Sequence, residues 1–344
     1  MYEMNQSYFM NQLEELLAID STTGDFRPIQ NYVEEQMQEL GYEFYETHKG
    51  GVIADLGGEG NSLIVTAHLD DIGLMVRFVN PDGTLRVAKI GGLSPEDALG
   101  ENVRVKTRDG RIYTGTVQKK FASVHVTEDD VAAQPLDYAK NVVAVLDEDV
   151  NTSEQTKALG VDTGCFIALE PRLSVSNGYI KSRFIDDKAC AAVLLAVMKE
   201  MREKELVPKR NIKAYFGMFE EIGHGTSWVP AETKDILALD IACIGPCQNS
   251  DEKKVSIFAM DSRFPYHYEL SNEIINVAKK CGADYVIDVF TPHYGSDGNT
   301  TVLAGYDVRH AAMGQGTSVS HGYERTHIDG VKNLYNLLLS YLMS

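Results

Sequence analysis

Apolar residues recur at helical spacing in SYFMNQLEELLAI and again in RPIQNYVEEQMQELG, so the chain opens with two helices, the second stopping at Gly41. VIADL and SLIVTAHLD follow, short runs rich in Val and Ile on either side of GGEGNS. They predict two strands joined by a tight turn, with His68 closing the second. Over residues 73–173 the period shortens. GLMVRFV, TLRVAKI, VRVKT, RIYTGTV and NVVAVLD read as alternating strands separated by NPDG, RDG and similar turns. Helical spacing returns in DDKACAAVLLAVMKEMREKEL, followed by strands in IKAYFGMF, ILALDIACIG and VSIFAM, a helix in SNEIINVAKKCG, a strand in YVIDVF and a last helix in VKNLYNLLLSYL. Alternating helix and strand predicts a three-layer α/β domain. That domain is expected to be discontinuous, made of residues 1–72 and 174–344, around a small inserted β domain at 73–173.

Composition narrows the partners. The 344 residues carry a formal charge of -18, which repels phosphate backbones and anionic lipid. Nucleic acid and membranes are therefore not expected as partners. The opening MYEMNQSYFMNQLEELL lacks a basic segment followed by an apolar one, and no run approaches the length that spans a bilayer, so the expectation is a cytoplasmic protein. Cys165, Cys190, Cys243, Cys247 and Cys281 are an odd, scattered set without a CxxC pair, which argues against a disulfide framework or a thiolate zinc knot.

The candidate chemistry sits where apolar runs stop. His68 ends a strand in TAHLDDIG, and Asp70, two residues on, faces the same side in extended chain, placed to orient a ligating imidazole. Asp186 and Asp187 precede a long helical run, where a carboxylate can cap the helix or turn toward a metal. Glu220 and Glu221 are adjacent acids at a strand end, a pair that repels itself unless positive charge neutralises it. Asp240 lies inside ILALDIACIG, where burying a lone carboxylate demands a cation or several donors. His321 and His327, in SHGYERTH, are rivals for a second imidazole. Two imidazoles and three carboxylates suit divalent Zn, Co or Mn in a catalytic centre rather than a structural zinc. The Gly-rich HYGSDGNTT at 293–301 reads as a turn capping a helix or as a substrate-facing loop, and His224 and Thr226 in GHGTS as edges of a pocket.

Taken together, HLDDIG, IDDKA, EEIG, ALD and SHGYERTH resemble the TET-type glutamyl and deblocking aminopeptidases, a family of co-catalytic metallopeptidases. ALGENVRVKTRDGRIYTGTV and ALGVDTG look like that family's small β domain. The resemblance implies two divalent ions held by His68, Asp186, Glu221, Asp240 and His321, with Asp186 bridging, Glu220 as general base and Asp70 orienting His68. It also implies a homo-oligomer, commonly a tetrahedral dodecamer, with the β insertion in the contacts. The chain departs from the family pattern in Asp187-Lys188, in GHGTS after the glutamates and in GYERTH after the last histidine. The expected reaction is hydrolysis of the amino-terminal residue of a peptide by a water between two metals. A metal-dependent deacylase or carboxypeptidase, and an endoglucanase-type glycan hydrolase, are the alternatives.

Overall fold

The computed structural model describes residues 2–121 and 123–344. The chain begins with α1 (Gln6–Ala18), α2 (Arg27–Glu39), β1 (Phe44–Glu46), β2 (Val52–Gly57) and β3 (Glu59–His68). A second group follows: β4 (Gly73–Val79), β5 (Leu85–Ile90), α3 (Pro95–Ala98), β6 (Asn102–Lys106), β7 (Ile112–Lys119), α4 (Asp129–Ala132), β8 (Val142–Leu146), α5 (Ser153–Ala158) and β9 (Phe166–Leu169). The rest is β10 (Ser174–Ser176), β11 (Tyr179–Ser182), α6 (Ile185–Glu203), β12 (Arg210–Gly217), β13 (Thr233–Leu239), β14 (Ala242–Cys243), β15 (Val255–Asp261), α7 (Tyr268–Cys281), β16 (Tyr285–Phe290), α8 (Asp297–Leu303), β17 (Arg309–Thr317), β18 (Glu324–His327) and α9 (Ile328–Leu342). Two compact units result, Met1–Asp70 with Arg172–Ser344, and Asp71–Pro171.

The first unit is built on one sheet in the order β1-β2-β12-β3-β13-β17-β15-β16. β12, β3, β13 and β17 run parallel to their neighbours in this series. Residues 62–68, 235–239 and 310–317 are buried without alternation, so these strands are covered on both faces, which is the expected three-layer arrangement. α6 is itself sunk in the core, buried continuously over 185–198, and packs on α1, α9 and β3. Parallel strands collect their carboxyl ends along one edge, where open α/β sheets place their sites.

β17 was not legible as a strand. RHAAMGQGT lacks the β-branched run that marks one, yet it lies between β13 and β15. Its small residues answer to crowding: a Cβ on Gly314 would stand 1.5 Å from the Asp240 carbonyl oxygen. ILALDIACIG, which reads as one strand, breaks at Asp240 into β13 and β14.

The second unit is a closed antiparallel barrel in the order β4-β5-β8-β7-β6-β9. Val103 and Val105 point into its core while Asn102, Arg104 and Lys106 alternate away from it. Among the described residues, no helix is long and apolar enough to cross a membrane.

Candidate metal centre

Four neighbouring strands and one helix deliver the acids and histidines. His68 is the last residue of β3, and Asp240 follows β13 directly. After β12 the chain enters the left-handed region at Phe219 (φ 70°), makes one 3-10 turn over Glu220–Ile222 and leaves it at Gly223 (φ 81°). Both glutamates thus sit in one turn, not on opposite faces of a strand. Asp186 and Asp187 are counted in the first turn of α6 but have non-helical backbone angles, so they stand at a kink ahead of its regular part. His321 comes from the turn between β17 and β18.

These side chains converge. His68 Nε2 is 3.1 Å from Asp186 Oδ1 and 3.8 Å from Glu220 Oε2. His321 Nε2 is 3.5 Å from Asp186 Oδ2 and 3.7 Å from Glu221 Oε2. Ligand atoms of His68, Asp186 and Glu221 lie within 4.8 Å of one another, and so do those of Asp186, Asp187 and Asp240, so Asp186 is shared by the two groups. His327 is elsewhere: its Nδ1 accepts the Asp329 N–H (3.1 Å) at the start of α9, and its ring meets Tyr179 edge-on.

Asp70 is buried behind this cluster and ties two of its parts together. Its backbone carbonyl lies 3.0 Å from His68 Nδ1, while its carboxylate oxygen is 3.6 Å away. The carboxylate instead accepts the Thr23 hydroxyl (2.7 Å) and the backbone N–H groups of Glu220 (3.1 Å) and Glu221 (3.4 Å). A His68 proton on Nδ1 would point at that carbonyl and leave Nε2 facing the acids.

Burial raises most of the carboxyls. It pushes Glu221 up to about 8, with Asp186 and Asp70 adding to it against His321 and His68. Glu220 is held well above the usual range by burial and by Asp240, Asp297 and Glu221, and Asp240 by burial and Asp186. Asp187 rises for the same reasons. For Asp186, burial is outweighed by hydrogen bonds from His321 and His68, which pull it below the usual range. Burial would lower His321, yet Glu221 and Asp186 bring it up to about 10. Acids this dry and crowded persist as anions only with positive charge among them. Imidazoles and carboxylates without a thiolate match a borderline or hard divalent ion, so the donor set fits a metal.

The model of the M42 glutamyl aminopeptidase family matches residues 50–337. The chain belongs to the M42 family. "Putative aminopeptidase YhfE" of Bacillus subtilis (strain 168) is 37% identical over 97% of each chain. The TET aminopeptidase from the marine sediment archaeon Thaumarchaeota archaeon SCGC AB-539-E09 superposes with a TM-score of 0.89 at 18% identity, over 98% of this chain and 97% of its own. The TET1 peptidase of Pyrococcus horikoshii, which can assemble into a tetrahedron or a large octahedral shell, gives a TM-score of 0.86 at 21% identity over 98% of this chain and 99% of its own. As an M42 member the chain is a peptide hydrolase, and its acids and histidines form groups able to hold metal.

Two acids outside the expected ligand set also lie near the cluster. Asp187 accepts the His68 backbone N–H (3.2 Å), and the buried Glu324 accepts that of Asp186 (2.9 Å). The Asp-Asp pair signalled the first. Nothing local signalled Glu324, which reaches the site because β18 folds back beside α6.

Proposed function

We propose that this M42 protein is a metal-dependent aminopeptidase that removes N-terminal residues from peptides. The observation that carries the reading is the meeting of His68, Asp186 and Glu221 with Asp187 and Asp240 around one shared carboxylate at the strand ends. His68, Asp186, Glu221, Asp240 and His321 would hold two divalent ions, zinc foremost, with cobalt or manganese as substitutes. Bound there, such ions supply Lewis acidity toward the scissile carbonyl. Glu220, beside the ligand Glu221 and not itself counted among the ligands, takes the proton of the attacking water and returns it to the departing amine. Asp70 holds the backbone of the glutamate turn and the His68 ring in register. Family membership favours the amino-terminal bond over N-acyl, C-terminal or glycan substrates.

We also infer a cytoplasmic homo-oligomer built from dimers, up to a tetrahedral dodecamer, with the barrel of Asp71–Pro171 in its contacts. The tetrahedral and octahedral assemblies of the P. horikoshii relative support the homo-oligomer.

An aminoacyl-anilide panel run beside N-acyl and C-terminal substrates, with metal analysis, tests the reading. Turnover should vanish with a chelator and return with Zn or Co. Glu220→Gln should keep its metal and lose about 10²- to 10⁴-fold in kcat. Undiminished turnover after chelation, or full activity in a metal-loaded Glu220→Gln protein, would sink it.

A further inference from the structure

The glutamate turn is poorly held by its own surroundings. It leaves the ladder at Gly217, two of its residues adopt left-handed backbone, and Ile222, Gly223 and His224 are exposed. Within it, the Gly223 N–H reaches the Glu220 carbonyl (2.7 Å) and the His224 N–H the Phe219 carbonyl (3.1 Å). Asp70 fixes its entry through the amides of Glu220 and Glu221. Its exit is fixed from two sides.

On one side stands Lys49, at the tip of the β1–β2 hairpin. Its ammonium donates to the His224 and Gly225 carbonyls (2.5 Å each) and to the Ser227 hydroxyl (2.8 Å), so all three donors are engaged by the loop. Hydrogen bonds close the tip: Thr47 N–H bonds the Gly51 carbonyl (2.8 Å), and Gly51 N–H bonds Thr47 Oγ1 (3.0 Å). Gly50 has no room for a side chain because the Phe26 ring lies against it, and Phe26 in turn meets Phe219 edge-on at 5.8 Å. Phe219 is stacked on His224 at 5.0 Å.

On the other side is Asp297, buried at the start of α8. It accepts the Thr226 N–H (2.9 Å) and the Thr66 hydroxyl (3.3 Å), and its backbone carbonyl takes the Thr226 hydroxyl. Thr301 closes the last carbonyl, donating to Thr226 O at 3.0 Å. A Cβ on Gly225 would come within 2.2 Å of the Asp297 carboxylate, so the loop fits only as glycine at that point. The backbone of residues 224–226 is thus gripped between an ammonium and a carboxylate of distant elements.

We propose that Lys49, working against Asp297, is a positioning residue that holds the Glu220–Glu221 turn in its working geometry. The proposal rests on the aminopeptidase reading for its catalytic consequence, but its structural core does not. A general base must be placed to well under an ångström, and a misplacement near 1 Å costs on the order of 10²-fold. Three charge-assisted hydrogen bonds are what a lysine supplies here and an apolar side chain cannot.

Hydrogen–deuterium exchange of the 218–228 segment, alongside steady-state kinetics, tests this on Lys49→Met, Lys49→Arg and Asp297→Asn. Lys49→Met should exchange that segment at least about tenfold faster, with the other sheet strands unchanged, and should lose at least about tenfold in kcat with KM within about threefold and metal content preserved. Lys49→Arg, which keeps charge and donors, should recover part of both. Asp297→Asn should loosen the same segment from the opposite side. Wild-type exchange in Lys49→Met would overturn the proposal, as would faster exchange spread over the whole fold. A wild-type protein inactive on every aminoacyl substrate would instead remove the functional reading, and the exchange result would still decide this one.

Discussion

Glu220 and Glu221 show how far a neighbour's identity falls short of a residue's role. The two are chemically alike and adjacent, yet the 3-10 turn points Glu221 at His321 and leaves Glu220 near His68. Titration elsewhere in the fold follows the same local logic. His310, at the start of β17, is buried between Phe264 and Tyr266, and burial, helped by the charge of His267, pushes its pKa down from 6.5 to about 4. Its folded pKa lies below the unfolded one, so as pH falls below 6.5 the unfolded chain takes the proton first. The stabilising contribution is complete above about 6.5 and shrinks toward pH 4, by about 2 kcal/mol at pH 5. Urea unfolding at pH 7.5 and 5 should show that loss in the wild type and a flatter dependence in His310→Gln. An identical slope in both proteins would discard the assignment.

At the level of elements, the long periodic segments were readable and the crowded ones were not. Helix SNEIINVAKKCG appears where the pattern puts it, because one face of it is buried and the period survives in the sequence. Strand YVIDVF appears there too, but on its β-branched content alone, since its exposed Ile287 and Val289 are apolar and its Asp288 is buried. β17 escaped detection since alanine and glycine carry little strand signal, and they are there because Asp240 crosses its backbone at Gly314. Gly314→Ala should therefore cost at least about 2 kcal/mol, as overpacking against a backbone that cannot yield. It should also displace Asp240, lowering metal retention along with the melting temperature. A thermal melt and metal content matching the wild type would show that the strand can move aside. The small sheet of β10, β11 and β18 was equally silent, being short, yet it brings Glu324 to Asp186.

For the molecule as a whole, mass is the quantity that tests the assembly inferred above. Light scattering at micromolar concentration should give a multiple of the 38.1 kDa chain, up to about twelve copies, and a monomer there would refute it. High net charge opposes such association, so low salt should dissociate it first. By itself the sequence determined the α/β class, the β-rich insertion and the stock of acids and histidines at strand ends, because burial imprints a local period and strand ends follow from where that period stops. Strand order decided which of those residues meet. It set β12, β3, β13 and β17 side by side, brought His321 rather than His327 to Asp186, and added Asp187 and Glu324. It also carried Lys49 to a loop 175 positions away. Contacts between distant segments leave no period to read, since they depend on how the sheet is wound and not on any one stretch of chain.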